Sequence, residues 1–133
     1  MYIGTSINES AVISAKAGAA ITGGAMKAAA MGSTGTVSVV GTAGAEAVGL
    51  IIPENDAAIA SGDDVTVQVK DIGLWIAGAA VNAGAMLMSD ANGKAVTATA
   101  GKFILAQALE AASAAGQVIH VQIIKAGYVN PAS

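Results

Sequence analysis

The sequence contains no cysteine and no arginine. Without cysteine there can be no disulfide, no thiolate nucleophile and no cysteine-type zinc site. Without arginine, the chain lacks the side chain that most often makes bidentate contacts with phosphates and base edges. The six lysines form no basic cluster and the net charge is −3, so we predict no nucleic-acid partner.

Aromatic and charged residues are also scarce. Only 3% of the residues are aromatic and 11% are charged, which is about half the usual charged share. The core must therefore be aliphatic. So few charges on a chain of 133 residues indicate that part of the surface is covered by another molecule.

No targeting or membrane segment is predicted. The first ten residues, MYIGTSINES, lack the basic and apolar regions of a secretory signal. The charge-free run from Ile72 to Ser89 just reaches the length of a membrane-spanning helix. Glycines and Asn82 interrupt it, and an internal repeat explains its pattern better.

Three pairs of segments reveal this repeat. AGAAITGGAMK (17–27) matches AGAAVNAGAML (77–87), with seven of eleven positions identical. TAGAEAVG (42–49) matches TAGKFILA (99–106), and AIASGDDVTVQV (58–69) matches ASAAGQVIHVQI (112–123). The matches are collinear, with offsets of 60, 57 and 54 residues. They indicate a tandem duplication within a single domain, residues 1–133.

Alternating residues in each unit predict β-strands. Val65, Val67 and Val69 should face a core, as should their equivalents Ile119, Val121 and Ile123. Further strands are expected at 36–40, 45–52, 94–100 and 103–109, with a hairpin turn at SDANGK (89–94). Short strands separated by glycines predict an all-β fold, a small barrel or sandwich built from two tandem repeats.

The unit boundaries follow from the repeat. We predict an extended N-terminal arm (1–16), unit one (17–69), unit two (77–124) and a tail (125–133). The alanine-rich segment QALEAASAAG (107–116) resembles a helix, but its repeat equivalent, residues 50–62, carries Pro53. Because proline disrupts a helix interior, we expect a connector with at most one short helical turn.

No catalytic, metal or cofactor residues are predicted. His120 falls on the polar face of a strand, and its repeat equivalent is Thr66, so a hydrolase centred on His120 is the weaker hypothesis. The acids in PENDA (53–57) and SGDD (61–64) match no calcium loop and are not retained in unit two. The glycines do not form a phosphate-binding loop.

The alternative function is a carrier barrel modified on Lys27. Ala25-Met26-Lys27 is similar to part of the Ala-Met-Lys-Met hairpin of biotinyl domains, and the glycine rhythm resembles biotinyl and lipoyl barrels. Gly24 and Ala28 depart from that motif, and the repeat equivalent of Lys27 is Leu87.

Unit two resembles the phage capsid cement (decoration) proteins. The matching stretches are AGAAVNAGAML (77–87), SDANGKAVTATAG (89–101) and AQALEAASAAGQVIHVQI (106–123). Ala106 stands where the family tends to have glycine. The resemblance implies a β-rich structural protein, not an enzyme, on the outer surface of the virion. It also implies a homotrimer, made in the host cytoplasm, that bridges major capsid protein subunits and stabilises the shell.

Candidate contact residues follow from position and residue type. The N-terminal segment lies outside the repeat and has no evident partner strand, so it is expected to add to a neighbour's sheet edge. Trp75 and Tyr128 are candidate aromatic contacts, with core burial as the alternative. The predicted contacts to capsid or oligomer are Tyr2, Ile3, Ile7, Val12, Ile13, Trp75 and Tyr128. We predict no membrane and no small-molecule substrate.

Overall fold

Residues 11–53 and 58–129, the part of the chain that the computed structural model describes, contain ten β-strands and no helix. The predicted all-β fold is confirmed. None of these residues belongs to a helix that could cross a membrane. The strands are β1 (Val12–Ala17), β2 (Ala28–Met31), β3 (Thr36–Val39), β4 (Gly49–Ile51), β5 (Asp64–Gln68), β6 (Asp71–Ile76), β7 (Met86–Ser89), β8 (Ala95–Thr97), β9 (Phe103–Ala108) and β10 (Val118–Tyr128).

The first five strands close into a barrel in the order β1-β3-β2-β4-β5. β1 runs parallel to β3, with Ala17 opposite Val37, and the other neighbouring strands are antiparallel. Val65 and Val67 are fully buried in the barrel, as the alternation of β5 predicts. Gly49 is required where β4 meets β5, because a Cβ there would lie 2.0 Å from the Gln68 carbonyl oxygen.

The second five strands form a sheet in the order β6-β10-β9-β7-β8, which is the same cyclic order as in the barrel. The ends of this sheet meet through a parallel bridge between Ala77 and Ala95, which corresponds to the parallel β1–β3 pairing. A second bridge, Val81 with Ala112, corresponds to that between Ile21 and Ile59. The two units thus share strand order and pairing direction, as a duplicated unit predicts.

The predicted N-terminal arm and the predicted C-terminal tail both need correction. Residues 12–16 are not a free arm, because they form β1 and pair with β5 from Val12–Gln68 to Lys16–Asp64. β1 carries no repeat signal, because its equivalent, β6, is dissimilar in sequence. The tail is also shorter than expected, since β10 continues to Tyr128 beyond a register shift between Ile123 and Gly127.

The connector prediction is confirmed. After β9 the chain passes through bends and turns, with no helical residue, before β10 begins. Two contacts connect the segment to the rest of unit two. One is the Val81–Ala112 bridge, and the other is a hydrogen bond from the Leu109 N–H to the His120 carbonyl oxygen (3.0 Å). Alanine is common here because its small side chain allows chain segments to approach closely.

The predicted turn at 89–94 is present, but its geometry differs from a tight Asn-Gly hairpin. The Asp90 carboxylate accepts hydrogen bonds from the backbone N–H groups of Asn92 (2.8 Å) and Lys94 (2.9 Å). Only Gly93 takes a positive φ, +79°, whereas Asn92 does not. The aspartate therefore organises this turn, as Asx turns do.

One hydrophobic core is shared by the two units. Ala28, Val40 and Leu50 of the barrel pack in the same cluster as Trp75 and Leu105 of the second sheet. A separate aliphatic cluster, which includes Val65 and Val67, fills the barrel itself. The shared cluster fixes the two units against each other and creates the clefts at their junction.

Candidate functional site

The junction of the two units is centred on a buried aromatic residue. Trp75 is fully buried, and its Nε1 donates a hydrogen bond to the carbonyl oxygen of Gly93 (2.9 Å). The same oxygen accepts a bond from the N–H of Ala28 (2.7 Å). Trp75 is therefore a core residue, and its prediction as a surface contact is wrong. A large aromatic side chain in an aliphatic protein is most readily buried where the two sheets meet.

Tyr128 lies on the surface of the same junction. It is 56% exposed, and its ring meets Phe103 edge-on at a centroid distance of 5.6 Å. The Tyr128 hydroxyl donates a hydrogen bond to the Glu46 carboxylate of unit one. This hydrogen bond, with smaller effects of desolvation and the negative charge, raises the pKa of the phenol.

A bulge in β10 places this tyrosine. Lys125 has a left-handed backbone (φ +44°), and Gly127 follows with φ +84°. The Lys125 ammonium donates a hydrogen bond to the carbonyl oxygen of Val48 (3.2 Å). Together with the Tyr128–Glu46 hydrogen bond, this contact connects the end of β10 to unit one. Beside it lies a cleft of about 330 Å³, the tyrosine cleft, lined by Met31, Glu46, Ala47, Val48, Phe103 and Lys125.

A larger cleft, the lysine cleft, lies beside β3, which contributes Ser38 and Val39 to its lining. Its volume is about 370 Å³, and its lining residues are Ala19, Ala20, Ile21, Thr22, Lys27, Ser38, Val39, Val40, Gly41, Ala91 and Asn92. Lys27 is the one charged residue among them. It immediately precedes β2, and its carbonyl oxygen accepts a hydrogen bond from Ile51 N–H (2.9 Å). Lys27 thus stands against the barrel wall, unlike a carrier lysine at a hairpin tip.

Exposed apolar side chains gather on one face of the second sheet. Ile72, Met86, Leu109 and Val118 are each at least 40% exposed. A row across four strands runs from Ile72 through Gln122 and Gln107 to Met86. Strand pairing therefore aligns these residues on the outward face, opposite the buried Trp75 and Val121.

His120 lies in the middle of this face. Its Nδ1 is 2.6 Å from Glu110 Oε2, and its backbone N–H donates to the same oxygen at 2.8 Å. These two hydrogen bonds, the backbone one first, lower the pKa of Glu110. Among the described residues, no serine hydroxyl bonds to the imidazole, so no nucleophile–base pair is assembled there. Nor do residues 11–53 and 58–129 group three metal-ligating side chains.

The remaining predicted contacts are divided between β1 and the segment before it. Val12 is 39% exposed at the start of β1, whereas Ile13 is half-buried and packs against the barrel core. Tyr2, Ile3 and Ile7 lie outside the described residues. Sequence reasoning missed the pairing of Tyr128 with Glu46, whose 82-residue separation leaves no local signal.

Comparisons with known proteins agree with this architecture. The family model described as phage cement protein matches residues 47–123, which is more than half of the chain. The match begins before β4, so the family pattern includes the end of unit one as well as unit two. A search of curated proteins finds no match.

A solved structure has a similar fold. The N base of the head fiber gp8.5 of bacteriophage phi29 superposes with a TM-score of 0.63 and 18% sequence identity. The alignment covers 90% of this chain and 97% of the gp8.5 chain. At this identity the likeness establishes the shared fold.

The described residues form a duplicated all-β architecture, with five strands in each unit. The chain belongs to the phage cement protein family. It is a structural protein associated with the phage capsid.

Proposed function

We propose that this protein decorates the outer surface of the assembled phage head and bridges neighbouring major capsid protein subunits. The family match over residues 47–123 carries the proposal. The low charge of the chain and the exposed apolar side chains of the second sheet, Ile72, Met86 and Val118, support it, because such a surface favours coverage by a partner.

Stabilisation would need no chemistry. A protein that binds the assembled shell and not its separated subunits shifts the equilibrium towards the shell by mass action. The contribution grows with the number of occupied sites. A homotrimer at symmetry-related positions would multiply weak contacts through multivalency.

Two regions are proposed to make the contacts. Residues 1–10 precede β1. The carbonyl oxygen of Ala11 accepts a hydrogen bond from Val69 N–H (2.8 Å), so the chain enters β1 close to the start of β6. The segment, with Tyr2, Ile3 and Ile7, would pair with the edge of a neighbouring sheet. The tyrosine cleft is the second region, since aromatic residues and methionine are enriched in interfaces.

The direct test adds the purified protein to phage heads assembled in its absence. We expect it to sediment with the heads and to raise the temperature at which they release DNA. Size-exclusion chromatography with light scattering should give the mass of three chains. Protein that stays in the supernatant at micromolar concentration would refute the function.

A truncation tests the arm separately. Removing residues 2–10 leaves all of β1 in place, so the protein should fold with an unchanged far-ultraviolet spectrum. We expect weaker binding to the heads. Undiminished binding by the truncated chain would exclude the arm while leaving the decoration function intact.

A further inference from the structure

The lysine cleft contains Lys27, which has no counter-ion among residues 11–53 and 58–129. Among the described residues, Lys16 forms an ion pair with Asp64 (2.6 Å), but no carboxylate pairs with Lys27. The Lys27 side chain is half-buried, and a Cβ at Gly93 would lie 3.2 Å from the Lys27 Cβ. The base of the side chain therefore lies against the 90–94 turn, and the side chain lines the cleft.

One wall of the cleft is a strand edge. β3 bonds to β2 through alternate residues, as shown by Gly32 N–H to Thr36 O (2.7 Å) and Val40 N–H to Ala28 O (3.0 Å). Residues 36 and 40 therefore direct their backbone groups towards β2, and so does residue 38 between them.

Val37 and Val39 direct their backbone groups to the other edge. Val37 O accepts a hydrogen bond from Gly18 N–H (2.9 Å). β1 ends at Ala17, and the chain then turns away so that Ile21 bonds to Ile59 (2.8 Å). In the described chain, the 18–22 segment makes no hydrogen bond with Val39. The N–H and C=O of Val39 thus face the cleft.

The cleft also has neutral polar side chains at its rim. Ser38, Thr22 and Asn92 are exposed there, and within residues 11–53 and 58–129 their side chains make few competing hydrogen bonds. Its floor is apolar, with Ile21 and Val40 buried. An open strand edge, an apolar floor and a lysine with no ion-pair partner in the described part of the chain fit an extended chain with an acidic side chain.

We propose that the lysine cleft binds an extended, acidic segment of the major capsid protein. The segment pairs with the edge of β3 at Val39 and places a carboxylate on the Lys27 ammonium. The proposal rests on the proposed function and adds the site and chemistry of one contact. Charge complementarity selects the occupant, because Lys27 is the one charge lining the cleft.

The test compares three lysine variants on heads assembled without the protein. Lys27→Met removes the charge and keeps the side-chain length, whereas Lys27→Glu reverses the charge. Lys70→Glu is the matched control, since Lys70 is exposed in the β5–β6 turn, away from the cleft. Loss of a charged hydrogen bond should weaken binding by Lys27→Met about ten- to a hundredfold, and Lys27→Glu should bind more weakly still. The control should bind like the unaltered protein.

Each contrary outcome has a distinct meaning. Normal binding by both Lys27 variants, with the unaltered protein still sedimenting with heads, overturns the cleft proposal and spares the function. Failure of the unaltered protein to bind refutes the function itself. If Lys27→Glu instead abolishes self-association in light scattering, a second copy is the occupant and the proposal is wrong. Unchanged binding with a lowered melting temperature would assign Lys27 an internal partner.

Hydrogen exchange tests the strand edge independently. In the free protein, the Val39 amide should exchange faster than that of Val40, which donates to Ala28 O. On heads, the Val39 amide should become protected, and Lys27→Glu should reduce that protection. Equal exchange of Val39 in the free and head-bound protein would overturn the pairing.

Discussion

Trp75 Nε1 and the carbonyl oxygen of Gly93 are joined by a buried hydrogen bond of 2.9 Å. Gly93 belongs to the turn between β7 and β8, and its oxygen also binds the first residue of β2 in the other unit. One carbonyl group therefore connects the tryptophan, the turn and the barrel.

Replacing Trp75 by phenylalanine tests the contact. The ring would still fill most of the site, but the hydrogen bond to Gly93 would be lost. We expect the free energy of unfolding to fall by about 1–3 kcal/mol. Urea denaturation followed by circular dichroism measures it. An unchanged unfolding midpoint would contradict the assigned role of the indole N–H.

Gly93→Ala should be more damaging than the same change at a comparable glycine. Both Gly93 (φ +79°) and Gly35 (φ +82°) have left-handed backbones, which cost an L-residue about 1–2 kcal/mol. A Cβ at Gly93 would also lie 2.6 Å from Val39 Cγ1, whereas at Gly35 it would meet open space. Thermal melts of the two variants isolate the steric contribution. Equal melting temperatures would be inconsistent with this crowding.

The Tyr128–Glu46 contact predicts a pH dependence at the alkaline end. Because the hydrogen bond to Glu46 raises the pKa of the folded tyrosine, its contribution to stability is complete below the ordinary tyrosine pKa. The contribution is lost as pH rises through the folded pKa. Ultraviolet titration should give a late-ionising tyrosine, and Glu46→Gln should restore ordinary ionisation. Identical titration curves for the two proteins would refute this assignment.

The Glu110–His120 contact predicts the opposite dependence. The backbone N–H and ring of His120 lower the pKa of Glu110, so this carboxylate contributes stability above the ordinary glutamate pKa. That contribution disappears as pH falls through the folded pKa. Glu110→Gln should flatten the acid side of the stability profile, measured by denaturation between about pH 6 and pH 3. If the substitution leaves the dependence of stability on pH unchanged, the Glu110–His120 contact does not contribute to stability.

Several elements could be predicted because their signals are local. Side chains on a strand alternate between its two sides. The spacing of Val65 and Val67, and of Ile119 and Val121, therefore predicted the buried strand faces that the structure shows. Pro53 in one copy of the connector correctly excluded a helix from the other. These inferences required only neighbouring residues and the comparison of two copies.

Other elements gave no local signal. β2 is composed of Ala28, Ala29, Ala30 and Met31, residues with little strand preference, and it forms because β3 and β4 pair with it on both sides. β1 resembles no other segment of the chain, and its partner, β5, lies about 50 residues further along, so no local signal marks it as a barrel strand. Long-range pairing overrides propensity at both places.

The all-β class, the internal repeat and the family resemblance follow from the sequence, because periodicity and motif order are properties of neighbouring residues. Only the folded chain shows that Trp75 is buried, that Tyr128 reaches Glu46, and that Lys27, beside the edge of β3, has no ion-pair partner among the described residues. Each of these depends on the packing of two similar units against each other. That packing arises from a shared core, whose contacts join residues far apart in the chain.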